Sequence, residues 1–124
     1  MAQEILARGV LAIVMVGAGV LQLWMATATA SGRLGRNQIA GIRIPATLAS
    51  DEAWLAGHRR AKRSAQYAGW CAIVTGLLAF TPLETWLVVV SVLVGSVAML
   101  VFVLYGASVG GRAARAATPD SEGA

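Results

Sequence analysis

The sequence predicts an all-α membrane protein, a three-span helical bundle with a motif-bearing cytoplasmic loop and an amphipathic helix between spans 1 and 2. Three observations predict it. Apolar residues make up 57% of the 124 positions, while charged residues supply only 13%, about half the roughly 25% of an average soluble domain. The charges are segregated, leaving three charge-free windows at 9–32, 64–83 and 85–111. The basic residues crowd into the segment between the first two windows.

The same arithmetic excludes other classes. A disordered chain needs low hydrophobicity. A disulfide scaffold needs paired cysteines, and Cys71 is the single one. The net charge of +4 is too small for a soluble nucleic-acid binder, and its basic residues flank apolar windows instead of covering a face. No direct nucleic-acid contact is expected.

The windows hold 24, 20 and 27 residues. A bilayer core about 30 Å thick needs around 20, and a spanning segment must satisfy its own backbone hydrogen bonds, so each window should be helical. The first span is expected at about 9–30. A competing reading takes Arg8, the apolar stretch 9–21 and the Ala-rich 26–30 as a cleavable signal peptide. The second span is expected at about 64–80, followed by a tight turn at 81–85 around Pro82. The third is expected at about 86–109. Its β-branched residues would favour strand in water, but length and apolar continuity override that preference in lipid. The first 110 residues form one membrane domain, and the small, polar tail 111–124 is expected to be disordered.

Orientation follows from Lys and Arg. The loop 31–63 and the tail carry nine, the N-terminal end only Arg8 and the 81–85 turn none. This predicts a multi-pass protein of the cell membrane with the N-terminus and turn outside, and the loop and C-terminus in the cytoplasm. Tyr67 and Tyr105 fall near inner span ends and Trp86 near an outer one, where amphipathic rings favour the interface.

The loop is chemically dense. Ile44 before Pro45 is biased towards extended backbone, and Gly41 permits a turn or a close approach. Residues 37–48 therefore read as ordered but non-helical. Ser50 is a good N-cap for the next helix, with Asp51 and Glu52 in its first turn, where the helix dipole favours negative charge. At about 100° per residue, Trp54, His58, Ala61 and Ala65 share one face and Glu52, Ala56, Arg59 and Arg63 the other. This amphipathic helix either lies at the interface or runs straight into the second span.

Asn37, Gly41-Ile42-Arg43-Ile44-Pro45, Thr47, Ser50, Glu52, Trp54 and His58-Arg59, in that order and spacing, resemble the signature loop of the SdpI family of small bacterial integral membrane proteins. The setting, between a first span and a following pair, extends the resemblance over most of residues 5–110. The resemblance implies a non-enzymatic role in immunity to a secreted peptide toxin, or in signal relay through capture of a cytoplasmic ArsR-type repressor. The immunity protein of that family resembles a six-span molecule, whose additional N-terminal half this chain lacks.

Asn37, Gly41, Arg43, Pro45, Thr47, Glu52, Trp54 and His58 are the candidate binding or structural residues. Arg43 has two readings, a partner or anion contact through its planar fork or an internal pair with Asp51 or Glu52. His58, the single histidine, is read as hydrogen-bonded to the loop backbone in preference to a proton relay or a metal ligand, since a metal needs three or four donors. Arg59, Arg60, Lys62 and Arg63 set topology and attract anionic lipid, or meet an acidic partner. Ser91/Gly95 and Gly106/Gly110 are small-xxx-small pairs suited to close helix packing within the bundle, or to homo-oligomerisation. Gln22, Thr27 and Thr29 are expected to hydrogen-bond between spans, and Glu84 to be solvated in the outer turn.

No nucleophile–base pair, phosphate loop or carboxylate cluster is visible, so neither enzymatic activity nor a cofactor is expected. The partners expected are the lipid bilayer, another membrane protein or a repressor. Two further readings are an accessory subunit of a larger membrane complex and a small oligomeric transporter or channel. Uncharged spans argue against the latter.

Overall fold

The computed structural model describes residues 1–118. Four helices account for most of them: α1 (Ala2–Ala30), α2 (Pro45–Leu48), α3 (Asp51–Ala79) and α4 (Thr85–Ala117). The described residues contain no strand. Both α1 and α4 are long and apolar enough to cross a membrane. In α3 the first thirteen positions carry Asp51, Glu52, Arg59, Arg60, Lys62 and Arg63, and only 64–79 is uncharged. The amphipathic helix therefore does run unbroken into the apolar segment after it.

α3 is the middle rod. It packs along both α1 and α4, which meet each other at the turn end through Glu4, Arg8 and Thr85 and through Ala12 and Val88. Neighbouring helices are antiparallel, with Gly19 meeting Gly69 near the middle of α1 and Gly57 meeting Gly110 at the other seam. The reason for the close α3–α4 packing is a stripe of small residues on α3: Ala53, Gly57, Ala61, Ser64, Ala68, Ala72, Thr75 and Ala79, all buried. The steps of three and four residues keep the stripe on one side of the helix. Against it α4 sets Gly95, Gly106, Gly110 and Ala114. A Cβ added at Gly110 would stand 2.8 Å from the Gly57 carbonyl oxygen, so the backbones touch directly. The small pairs of α4 thus serve packing within the chain.

Several expectations are corrected. The helix that contains the first expected span starts before it, at Ala2, and Glu4 and Arg8 pair along its first turns. α4 continues through Gly111–Ala117, which was expected to be disordered. Alanine-rich sequence favours helix there, and Gly111 and Ala114 are buried against Ile44 and Gly57. Positions 119–124 lie outside the described residues. Thr27 and Thr29 do not bridge helices. Their hydroxyls donate to Leu23 O and Met25 O of their own helix, since four residues back is the nearest acceptor for a helical threonine.

The turn between α3 and α4 falls at the expected place, and Glu84 is exposed as its carbonyl accepts the Leu87 and Val88 N–H groups. Arg8 fastens this end. Its Nη1 donates to Thr81 O at 3.2 Å and its Nη2 to Leu83 O at 2.7 Å. Beneath it Ala12, Ala79 and Val88 form a small core.

Candidate functional site: the loop platform

The opposite end carries a platform built from residues 33–58, and backbone groups organise it. Asn37 closes its first turn. Its Oδ1 accepts the Ile39 and Ala40 N–H groups at 2.8 and 2.7 Å, and its Nδ2 donates to Gly35 O at 2.8 Å. Asparagine suits this position because its side chain mimics a backbone turn. Ile39 is left at the apex, 91% exposed.

Gly41 follows with φ of +103°, a region side chains rarely adopt. A Cβ here would also lie 2.8 Å from the Trp54 ring and 2.9 Å from His58 Nε2. Both constraints demand glycine. The chain thereby passes flat over the Trp54–His58 pair, whose rings sit 4.2 Å apart and tilted.

His58 clamps the loop to α3. Its Nε2 lies 2.8 Å from the Ile42 nitrogen, and its Nδ1 2.7 Å from Trp54 O. An amide N–H only donates and a carbonyl only accepts, so the proton must be on Nδ1 and the lone pair on Nε2. The ring is therefore neutral. Burial pushes the His58 pKa below its ordinary value, and the Trp54 carbonyl opposes this only in part. Protonating Nε2 would turn it against the Ile42 N–H.

Trp54, 2% exposed, adds a second tie through Nε1 to Leu34 O at 2.9 Å. Thr47 supplies a third. Fully buried, it donates to Ile42 O at 2.6 Å and accepts the Ile44 N–H at 3.2 Å. Pro45 opens α2, where the missing N–H costs nothing. Ile44 is extended as expected, but 45–48 is a helical turn where a non-helical segment was expected, because Thr47 rewards the turn with two backbone contacts. Ser50 accepts from Ala53 N–H and caps α3 as read.

Arg43 pairs with neither Asp51 nor Glu52. Its Nε donates to Asn37 O at 2.9 Å, while Arg36 takes Asp51 at 2.8 Å and also donates to Leu48 O. The bends at Asn37 and Gly41 bring Asn37 O under Arg43 and leave the carboxylates to Arg36. Glu52 is exposed and stands apart from the network. The basic cluster is split by helix geometry. Arg59 donates to Ala30 O at the end of α1, Lys62 lines the cavity described next, and Arg60 and Arg63 are exposed.

Under Gly41 and Ile42 lies a cavity of about 140 Å³, walled by Gln22 and Met25 of α1, His58, Lys62 and Ala65 of α3 and Val103 of α4. Gln22 thus faces a space instead of a partner helix. Among the described residues no three His, Cys, Asp or Glu side chains converge as a metal site would require.

Sequence reasoning missed Arg8, Arg36 and the small stripe of α3. For Arg36 and Arg8 the acceptors include carbonyls, which leave no mark in sequence. The stripe was legible as small residues at steps of three and four.

Two apolar rods of membrane-crossing length, packed on a third and joined by a polar loop locked through side-chain-to-backbone bonds, define a small helical protein of membrane type. The model of the SdpI/YfhL protein family matches residues 33–106. That is more than half of the chain, and the match runs from the platform into α4, so the protein belongs to this family. No curated protein and no solved structure matches it.

Proposed function

We propose that this SdpI-family membrane protein spans the bilayer three times, presents the platform to the cytoplasm and acts by binding, in toxin resistance or signal relay, without chemistry. One observation carries the reading. The platform uses most of its polar groups in holding itself rigid, and among the side chains it turns outward is an apolar one, Ile39, on the same loop as the exposed Arg43. An exposed isoleucine held at a stiff apex is a contact residue in waiting, and the Arg43 guanidinium adds charge selectivity.

Topology is supported by charge. Arg112 and Arg115 lie at the platform end, where Gly111 meets Ile44. Nine basic residues thus stand there against Arg8 at the other end. The 64–80 segment of α3 lies between two membrane-length helices, and crosses with them. α1 is packed into that bundle through Ala12 and Gly19, which favours its retention over removal as a signal peptide.

The test has two parts. With Cys71 replaced by serine, a cysteine at Gln38 should be protected from an impermeant thiol reagent in intact cells, and one at Pro82 should react. The reverse pattern overturns the orientation. Affinity purification from native membranes should then yield a partner with wild type and with a Trp86→Ala control, and lose it with Ile39→Asp/Arg43→Ala. Identical partner sets from all three remove the platform from the mechanism.

A further inference from the structure

We propose that the outer groove between α3 and α4 holds one anionic phospholipid of the cytoplasmic leaflet; the inference rests on the three-span reading above. The groove is a cavity of about 610 Å³ lined almost wholly by apolar side chains, among them Tyr67, Trp70, Val74 and Leu78 of α3 and Val94 and Phe102 of α4. Tyr67 and Phe102 pack at 5.4 Å between ring centroids and mark its platform end.

The stripe of α3 that lines the groove continues past it. Arg63 is four residues before Tyr67 and Arg60 seven, so in one unbroken helix both sit above the groove on the same side. Both are exposed, and neither has a hydrogen-bond or ion-pair partner among the described residues. The order along the stripe is two guanidinium groups, a phenol at the boundary and then apolar surface. That is the order of an anionic headgroup, an ester region and an acyl chain.

Length agrees as well. Tyr67 to Leu78 is eleven residues, about 16 Å of helix rise, and one leaflet of a bilayer core about 30 Å thick is about 15 Å deep. The other arginines are differently employed. Arg59 is drawn to the end of α1, Arg36 to Asp51, and Arg43 to Asn37. Charge complementarity at this groove therefore comes from Arg60 and Arg63 specifically, with the guanidinium fork matched to phosphate.

Native mass spectrometry of the full chain, purified in mild detergent and titrated with phosphatidylglycerol or phosphatidylcholine, tests this. Wild type should retain one phosphatidylglycerol in preference to phosphatidylcholine. Arg60→Gln/Arg63→Gln should weaken retention roughly tenfold or more, at about one headgroup interaction per arginine. Val94→Trp, which fills the groove from an exposed position, should weaken retention of either lipid. Arg112→Gln/Arg115→Gln removes equal charge elsewhere and should leave retention unchanged. Equal retention of the two lipids by wild type overturns the proposal, as does an equal loss from the two double variants, which would mean bulk charge alone. Thiol labelling of the Cys71→Ser variants with a cysteine at Gln38 or Pro82, in intact cells, reports topology separately. A correct topology with no lipid preference sinks only the groove, and a wrong topology sinks the three-span reading itself.

Discussion

The two ends of the bundle solve the same problem with different chemistry. Each must tie helices to a connection that crosses between them. At the turn end charged side chains make the ties: Arg8 reaches two carbonyls, Thr81 O and Leu83 O, and Glu4 accepts from the Thr85 hydroxyl. At the platform end arginines also reach carbonyls, but the buried ties are made by neutral side chains. Trp54, His58 and Thr47, all nearly or fully buried, each bond to loop backbone. The difference teaches where specificity resides. One long flexible arginine tolerates a range of turn shapes, whereas an indole, an imidazole and a hydroxyl at fixed points on rigid helices admit one loop conformation.

If the platform is that rigid, its largest cost should come from Trp54→Ala. Removing a fully buried indole deletes packing under the loop and strands Leu34 O, for an expected loss of about 3–5 kcal/mol. Thermal unfolding in detergent micelles, followed by circular dichroism, reads this. Gly41→Ala should rank next at about 2–4 kcal/mol, combining positive-φ strain with overpacking on Trp54 and His58. A near-neutral Gly41→Ala would show that the loop yields, and the contrast between the ends would collapse. Arg8→Met should cost less, about 2 kcal/mol. It forfeits charge-assisted bonds but keeps the aliphatic stem, and it relieves a buried Nε that has no partner.

Legibility divides along the same line. The platform was readable because each tie uses a distinctive residue type: an N-capping Ser50, a turn-forming Asn37, a glycine and a proline at short range, and Trp54 and His58 one turn apart on an apolar face. Their order alone identified the loop and its supporting helix. What stayed hidden were the acceptors. Arg8, Arg36, Arg43 and Arg59 all donate to main-chain oxygens, and a carbonyl is the same at every position. Hence the reading that paired Arg43 with Asp51 or Glu52 does not hold, and Arg36 was overlooked. The helices also extend beyond the expected spans, to Ala2 and through the tail to Ala117, because pairing and packing carry helix past the boundaries that charge and composition marked.

The clamp at His58 makes the platform end sensitive to acid at a higher pH than the turn end, where bonds from Thr85 and Arg8 hold the Glu4 carboxyl below its ordinary 4.5. His58 is neutral in the fold and its pKa lies below the ordinary 6.5 because of burial. The unfolded chain then binds more protons than the folded one between those two values, so stability rises with pH across that window. It is complete above about 6.5 and is lost as pH falls towards the folded pKa. The charged group that shares its cavity is Lys62 of α3, while the α1 and α4 walls offer Gln22 and Val103. No carboxylate among them favours the imidazolium. Melting temperature should therefore decline from pH 6.5 downwards in wild type. His58→Phe should lower stability overall and flatten that decline, whereas Arg8→Met should leave its slope intact. An undiminished slope in His58→Phe would assign the acid sensitivity to other groups.

The smallest effect is expected from the one ion pair of the platform, Arg36 with Asp51. It is geometrically close, at 2.8 Å, yet 41% and 85% of the two side chains remain exposed. Water and salt screen such a pair, and holding two mobile side chains costs entropy, so its worth is about 1 kcal/mol or less. Asp51→Asn should shift the melting temperature little, and the shift should vanish at high salt. Arg36→Gln should do slightly more, because Leu48 O also loses its donor. A loss from Asp51→Asn comparable to that from Arg8→Met would mean that charge secures both ends, and the contrast drawn between them would fail. A negligible loss leaves the platform resting on buried neutral bonds, whose strength does not depend on ionic strength.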